Sequence, residues 1–320
     1  MEALGPLFLR LSFDLIKVAN ITKRGKYMSK LFFGKMNINE DIYDVYNKKV
    51  DINKLLTKIY VDFNAKTIIY DASGGRYKFF DVDKFEDNSV IYGRLGYIKK
   101  GVHSTYDPDK DTAIDIEDKN KIEYITFYFD VFNEILSYTV NPILTKKKVL
   151  ETFEELIKKS TGVGVKFILE TDINELNKEL KKFDVLRRVS LKLVPPNGDK
   201  DQFSKLFSLS AEKVATGGAT TIKQEYSNRS KVGLNKDSEL IKDAADGIAL
   251  GYAEGKFYGK DSHGEEIEFL TEKDAPYTKI IPNEQNKNKL VIAEKGRAGV
   301  VELLAYKAKI REKNRNGETK

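Results

Sequence analysis

Between Val165 and Gly198 the chain reads as a strand (VKFILE), an amphipathic helix (TDINELNKELKKFD), a second strand (LRRVSLKLV) and a stop (PPNGD). No other stretch narrows the possible folds as much. Alternate residues of a strand face opposite sides, so Arg188, Ser190 and Lys192 share one face and Val189, Leu191 and Leu193 the other. The apolar face needs a cover, and the preceding helix supplies one: Ile173, Leu176, Leu180 and Phe183 fall at helical spacing. Asp172 and Glu175 stand at capping-box spacing and mark the helix start. The expectation is a sheet with helices on one side and a basic strip on the other.

The 320 residues suffice for one large domain or two ordinary ones. With 41% hydrophobic and 32% charged residues, the composition is that of a folded globular chain. A formal net charge of +6, with Lys far outnumbering Arg, permits a polyanionic partner and equally suits a solvated lysine surface. The absence of cysteine excludes disulfides, thiolate chemistry and Cys-based zinc sites, and fits a reducing cytoplasm. His103 and His263 are the two histidines, so a His-rich transition-metal site is not expected, nor is a cofactor.

The first half is sheet-rich. LFFGKM reads as a strand, Asp51 caps a helix carrying Ile52, Leu55, Leu56 and Ile59, and KTIIYD and RYKFFDV flank a hairpin turn at Ala72–Gly75. Residues 103–121 are polar and acidic, with a proline, and read as a surface loop. Asp107, Asp109 and Asp111 alternate there as at the start of a calcium loop, but its glycine and closing glutamate are missing. EYITFYFD and VFNEILSYTV pair around Asp130. Thr145 caps a helix striped by Val149, Leu150, Phe153, Leu156 and Ile157, with Lys146, Lys147 and Lys148 in its first turn. Beyond the central unit come one helix over DQFSKLFSLSAEKVA, a strand pointing Lys223 outward, a small-residue helix and a hairpin around His263. YTKIIPNE and KLVIAEKG read as further strand or loop. A final helix runs into a basic tail with Lys307, Arg311 and Arg315.

The fold expected is α+β, with a sheet-rich domain over 28–140 and a second domain over 141–320. In the second, an antiparallel or mixed sheet is covered on one face by the helices near 145–160, 172–183 and 201–215. Residues 1–27 stand apart. The apolar run Leu4–Ala19 is broken by Arg10, Asp14 and Lys17, too short and too charged to span a bilayer, and it lacks signal-peptide features. An amphipathic helix docked on the fold is one expectation; the preferred one is that residues 1–27 are a leader or a mis-assigned start, because Lys23-Arg24-Gly25 can be encoded by a purine-rich ribosome-binding stretch with Met28 at a suitable spacing. Mass spectrometry of the N-terminal peptide from the native host decides, and a peptide starting upstream of Met28 rejects the leader.

No Walker A or dinucleotide-binding glycine pattern and no nucleophile elbow occurs, and no catalytic residue is identified. Asp62, Asp71, Asp81 and Asp83, near strand ends, leave a metal-dependent nuclease as an alternative. Binding has more behind it. Lys166, Arg188, Lys192 and Lys223 are expected to align on the open sheet face, extended by Lys146, Lys147, Lys148, Lys307, Arg311 and Arg315. Cations held parallel on a rigid sheet suit phosphate backbones. A third possibility is a protein-interaction module using the aromatic strand of Tyr124, Phe127 and Phe129 as an edge.

The series FYFD, VLETFEELI, LRRVSLKLVPPNGD and DAADGIALGYAEGKFYGKDSHGEEIEF resembles an uncharacterised bacterial and prophage family, to which the phage exclusion protein RexA looks distantly similar. The likeness covers roughly residues 30–290 and rests on Pro195, Pro196, Asn197, Gly198, Gly247 and Gly251. It implies an intracellular protein of phage defence or exclusion: a homodimer binding nucleic acid, duplex DNA above all, with a membrane-protein or phage-protein partner and no membrane insertion of its own. It supplies no catalytic residue.

Overall fold

Strand β1 is buried on both faces from Leu31 to Ile38, so apolar layers must lie above and below it. The computed structural model describes residues 28–85, 90–197 and 200–316, with side chains of the last helix described through 312. The elements in chain order are β1 (Met28–Ile38), α1 (Ile42–Tyr46), α2 (Ile52–Asp62), β2 (Ile68–Tyr70), β3 (Arg76–Phe85), β4 (Val90–Asp107), β5 (Thr112–Asp130) and β6 (Ile135–Tyr138). Next come α3 (Lys146–Thr161), β7 (Val165–Leu169), α4 (Ile173–Lys182), β8 (Val185–Leu193), α5 (Lys200–Phe207), α6 (Ala211–Thr216) and β9 (Ile222–Ser227). The chain closes with α7 (Glu239–Ala249), β10 (Ala253–Lys260), β11 (Glu266–Leu270), α8 (Thr271–Asp274), β12 (Thr278–Pro282) and α9 (Lys289–Asn316). The expectations for residues 1–27 lie outside the described residues.

The fold is α+β with two antiparallel sheets. One edge of β1 pairs with β6; along the other, β12 takes the first half and β7 the second. The large sheet continues through β5, β4, β3 and β2. Strands from both sides of residue 140 therefore build it. Helices α2 and α3 cover one face, where Phe63, Phe79, Phe127 and Phe153 meet with ring centroids 4.3–6.5 Å apart. Such edge-to-face and stacked pairs add about 0.5–1.5 kcal/mol each beyond area burial. Helix α9 covers the other face through Ile292, Val300 and Leu303. Gly296 and Gly299 let it come close: a Cβ on Gly299 would lie 2.2 Å from the Phe33 ring.

The small sheet has the order β11–β10–β8–β9. Val189, Leu191 and Leu193 pack beneath Leu176 of α4, Phe203 and Phe207 of α5, and Ile248 of α7. Among the described residues no element covers its opposite face, in keeping with the alternation in β8.

Several local expectations are corrected. Residues 103–121 are not a loop but the outer halves of β4 and β5, which beyond Lys99 pair only with each other. Alternating Val102, Ile114 and Ile116 favour strand, and Asp107 closes the turn by accepting from the Asp109 and Lys110 N–H groups. The helix expected over DQFSKLFSLSAEKVA is two, because Ser208 has φ 50° and Ser210 caps a fresh start. KLVIAEKG opens α9 rather than a strand. Helix α3 covers the large sheet, not the small one, because its stripe meets Phe63, Phe127 and Phe167.

The two sheets and α9 meet at a buried polar seam. Lys307 falls on the apolar stripe of α9, between Leu303 and Ile310, and is 1% exposed beside Glu170 at 0%, with which it forms an ion pair. Nearby Lys35 pairs with Glu134, whose other oxygen accepts from the Asn197 amide at 2.6 Å. Asn197 also accepts the Ile38 N–H at 2.6 Å and donates to the Met36 carbonyl, so the Pro-Pro-Asn stop pins the end of β8 to β1. Gly251, at φ 82°, fits against Lys35 and Glu170, where a Cβ would approach to 2.8 Å.

Lys307→Met leaves Glu170 charged and unpaired in the interior and should cost about 3–5 kcal/mol in urea unfolding. Adding Glu170→Leu removes the second charge and should recover most of it. Burial, opposed by Glu170, pushes the Lys307 ammonium down to about 8. Between pH 8 and about 10 the unfolded chain then binds more protons than the folded one, so this group makes stability rise with pH over that window. The double variant should lose that component, and an unchanged pH slope rejects the assignment.

Candidate functional site

Directly opposed residues of antiparallel strands share a face, so register alone lays out the open side of the small sheet. Its rows are Lys223–Lys192–Glu254, Glu225–Ser190–Lys256 and Ser227–Arg188–Tyr258. Arg188, Lys192 and Lys223 are thus brought together as expected. Their surroundings are less basic than β8 by itself implies. Lys192 Nζ lies 3.1 Å from Glu254, Ser190 donates to Glu225 at 3.0 Å, and Lys256 lies 2.7 Å from Glu268. The Arg188 guanidinium sits 5.3 Å from the centre of the Tyr258 ring. The face is a chequer of lysine and glutamate rather than a uniform strip.

Lys166 is corrected: it belongs to β7 in the large sheet, and its Nζ lies 2.7 Å from Glu154 of α3. Burial raises the Glu154 carboxyl, while hydrogen bonds from Lys166 and the Phe167 N–H oppose that. Where the sheets adjoin, however, Lys166 rejoins the others. Lys146 and Lys147 from α3, Lys166, Lys192 and Lys273 line one cavity of about 300 Å³. A second cavity of about 320 Å³ shares Lys192, Glu254 and Glu272 with it and continues to Lys223 and Lys256. Together they form a groove in which seven lysines face five glutamates. Burial lowers the Lys146 pKa, and its ammonium donates to the Glu272 carbonyl at 2.7 Å. Lys273 and Lys256 were missed in the sequence; for Lys256 the alternation of AEGKFYGK, with Phe257 inward, was the available signal.

The remaining expected contacts lie elsewhere. Lys148 turns away to the Tyr77 ring, 4.7 Å from its centre. Lys307 cannot touch a phosphate, because the stripe of α9 carries it into the interior. Its position between Leu303 and Ile310 was the available signal. Arg311 is half-buried near Lys307, and the Arg315 side chain lies outside the described residues. Phe127 and Phe129 are fully buried in a strand flanked by β4 and β6, so they form no open edge. Tyr124 instead carries Arg94 and Lys287 at 5.0 and 4.5 Å from its ring centre.

The strand-end carboxylates have separate structural tasks. Asp71 accepts from Ser73 and Gly75 in its turn, and the Ser73 hydroxyl leads in holding its carboxyl down to about 2. Asp81 pairs with Arg94 and Asp83 with Lys289, both at 2.6 Å. Among the described residues no group of three or more His, Cys, Asp or Glu side chains is placed to hold a metal ion, and no helix is long and apolar enough to cross a membrane. His263 is exposed in a turn closed by Asp261.

Residues 65–296, more than two thirds of the chain, match the family described as "Domain of unknown function (DUF4747)". No curated protein matches the chain.

Half-exposed ion pairs are worth about 0.2–1 kcal/mol. A double-mutant cycle of Lys192→Ala and Glu254→Ala should therefore give a coupling below about 1 kcal/mol in thermal unfolding, leaving Lys192 free to exchange its carboxylate for a ligand oxygen. A coupling of several kcal/mol would mean the pair is locked.

Proposed function

The chain belongs to the DUF4747 family, and from the chemistry of its own side chains we propose that it binds nucleic acid, duplex DNA above all, without reading sequence. In this reading it acts in anti-phage defence or phage exclusion, as a homodimer. The supporting observation is Lys192 standing directly opposite Lys223 on adjacent strands, with Lys146, Lys147 and Lys166 arriving at the same groove from the other sheet. Like charges directly opposed across a strand pair are destabilising. A phosphate backbone lying along the groove relieves that repulsion and releases its own counterions. The glutamates beside Lys166 and Lys192 make their contact with phosphate an exchange of partners. The reading assigns these lysines to phosphates, so sequence discrimination is not part of it. The phage context comes from the resemblance to exclusion proteins, and no catalytic step is assigned.

Gel retardation of a mixed-sequence duplex, titrated with salt, tests the binding. Affinity should fall with salt, and Lys192→Ala/Lys223→Ala should flatten the log–log slope by about 0.9 for each phosphate that the variant leaves unneutralised. No retardation at low salt, or a slope indifferent to both substitutions, rejects the groove. Phage plating equally well on hosts with and without the chain rejects the defence role separately.

A further inference from the structure

The face of the large sheet beneath α9 carries a second feature that shares no residue with the lysine groove. Contact at Gly296 holds the helix down: a Cβ there would lie 2.4 Å from Ser137 Oγ and 2.9 Å from the Tyr128 ring. Beside this contact the helix overhangs a cleft of about 930 Å³, the size of sites for small organic molecules. Phe85 and Tyr92 form one wall as a stacked pair, centroids 5.2 Å apart and 26° between planes. Val300 and Leu304 of α9 face them.

Five planar polar groups line the same space: Asp130, Asn133 and Arg297, with Glu294 and Glu302 of α9 on its helix side. Asp130, 7% exposed, closes its turn by accepting from the Asn133 N–H at 3.0 Å and side-chain amide at 2.9 Å. Each carboxyl oxygen keeps further acceptor capacity, and the Asn133 amide oxygen is an additional acceptor. Arg297 extends from α9, close enough for its charge to act on the Tyr128 hydroxyl. Burial raises the Asp130 carboxyl, which suits pairing with a neutral ligand group.

An acyl chain would leave these forks unmatched, and a free anion would meet the Asp130 carboxyl. A flat ring with in-plane donors and acceptors satisfies both the stacking walls and the forks, since Asp, Asn and Arg are the side chains that pair with base edges. We propose that the cleft between α9 and the Phe85–Tyr92–Tyr128 wall binds a nucleobase, stacked on the aromatic wall with its edge toward Asp130, Asn133 and Arg297. The base comes from a free nucleoside or from an unpaired position in a strand.

Equilibrium dialysis of the full chain with adenosine, guanosine, cytidine and uridine, and with single-stranded oligonucleotides, tests this. Binding of at least one nucleoside is expected, weakened about tenfold by Arg297→Ala on the exposed helix surface and by Tyr92→Leu in the wall. Oligonucleotide binding alone, lost in the same variants, also supports the cleft and identifies the strand as the source. Circular dichroism confirms that each variant is folded, and neither should alter duplex retardation by the lysine groove. Absence of binding by all probes at millimolar concentration, or binding indifferent to both substitutions, overturns the proposal.

Discussion

The structure depends on burying charge where its two sheets meet. Lys307 and Glu170 lie in the interior, and Lys35, Glu134 and Asn197 make a second set of contacts beside them. Removing a charge from water costs several kcal/mol, and only a close partner offsets it. The pairs are therefore demanding about geometry in a way that apolar contacts are not. Helix α9 and the end of β7 have to meet for Lys307 and Glu170 to pair, and β1, the turn after β5 and the chain after β8 for Lys35, Glu134 and Asn197. A seam of leucines would tolerate sliding; this one specifies a single arrangement.

Of the residues that carry the family likeness, Pro196, Asn197 and Gly251 act at or near that seam. Asn197 ties β8 to β1, and the Pro196 carbonyl receives the Tyr46 hydroxyl at 2.7 Å. Gly251 makes room for Lys35 and Glu170, while Gly247 meets the Phe207 ring in the core beneath the small sheet. The lysine groove follows from the same junction. Because β7 and β8 enter different sheets, Lys166 and Lys192 reach one cavity from two directions, and α3 adds Lys146 and Lys147 from a third side. Lys147, Lys166 and Lys192 pair with carboxylates, and Lys146 donates to the Glu272 carbonyl. The groove is thus organised by position more than by net charge.

Local physics was legible along most of the chain. Asp51, Thr145 and Asp172 cap their helices through side-chain hydrogen bonds, and β8 alternates between core and open face as its side chains dictate. Errors arose where a short-range pattern was ambiguous. Asp107, Pro108 and Asp109 read as loop, yet they are only the turn of a long two-stranded arm whose β-branched residues carry the strand signal. Lys307 carries the charge of a tail residue yet falls on the apolar stripe of α9, and the stripe decides its place.

Alternation, spacing and caps therefore determined, from sequence by itself, an α+β chain with one sheet, antiparallel or mixed, covered on a single face and Arg188 and Lys192 on the other. Those features arise from contacts within a few residues, which a linear pattern encodes. Tertiary structure alone decided that β7 joins β1, that Glu254 stands beside Lys192, 62 residues away, and that Lys307 meets Glu170 across 137. Pairings at such separations depend on which surfaces are buried together, and no local period records them.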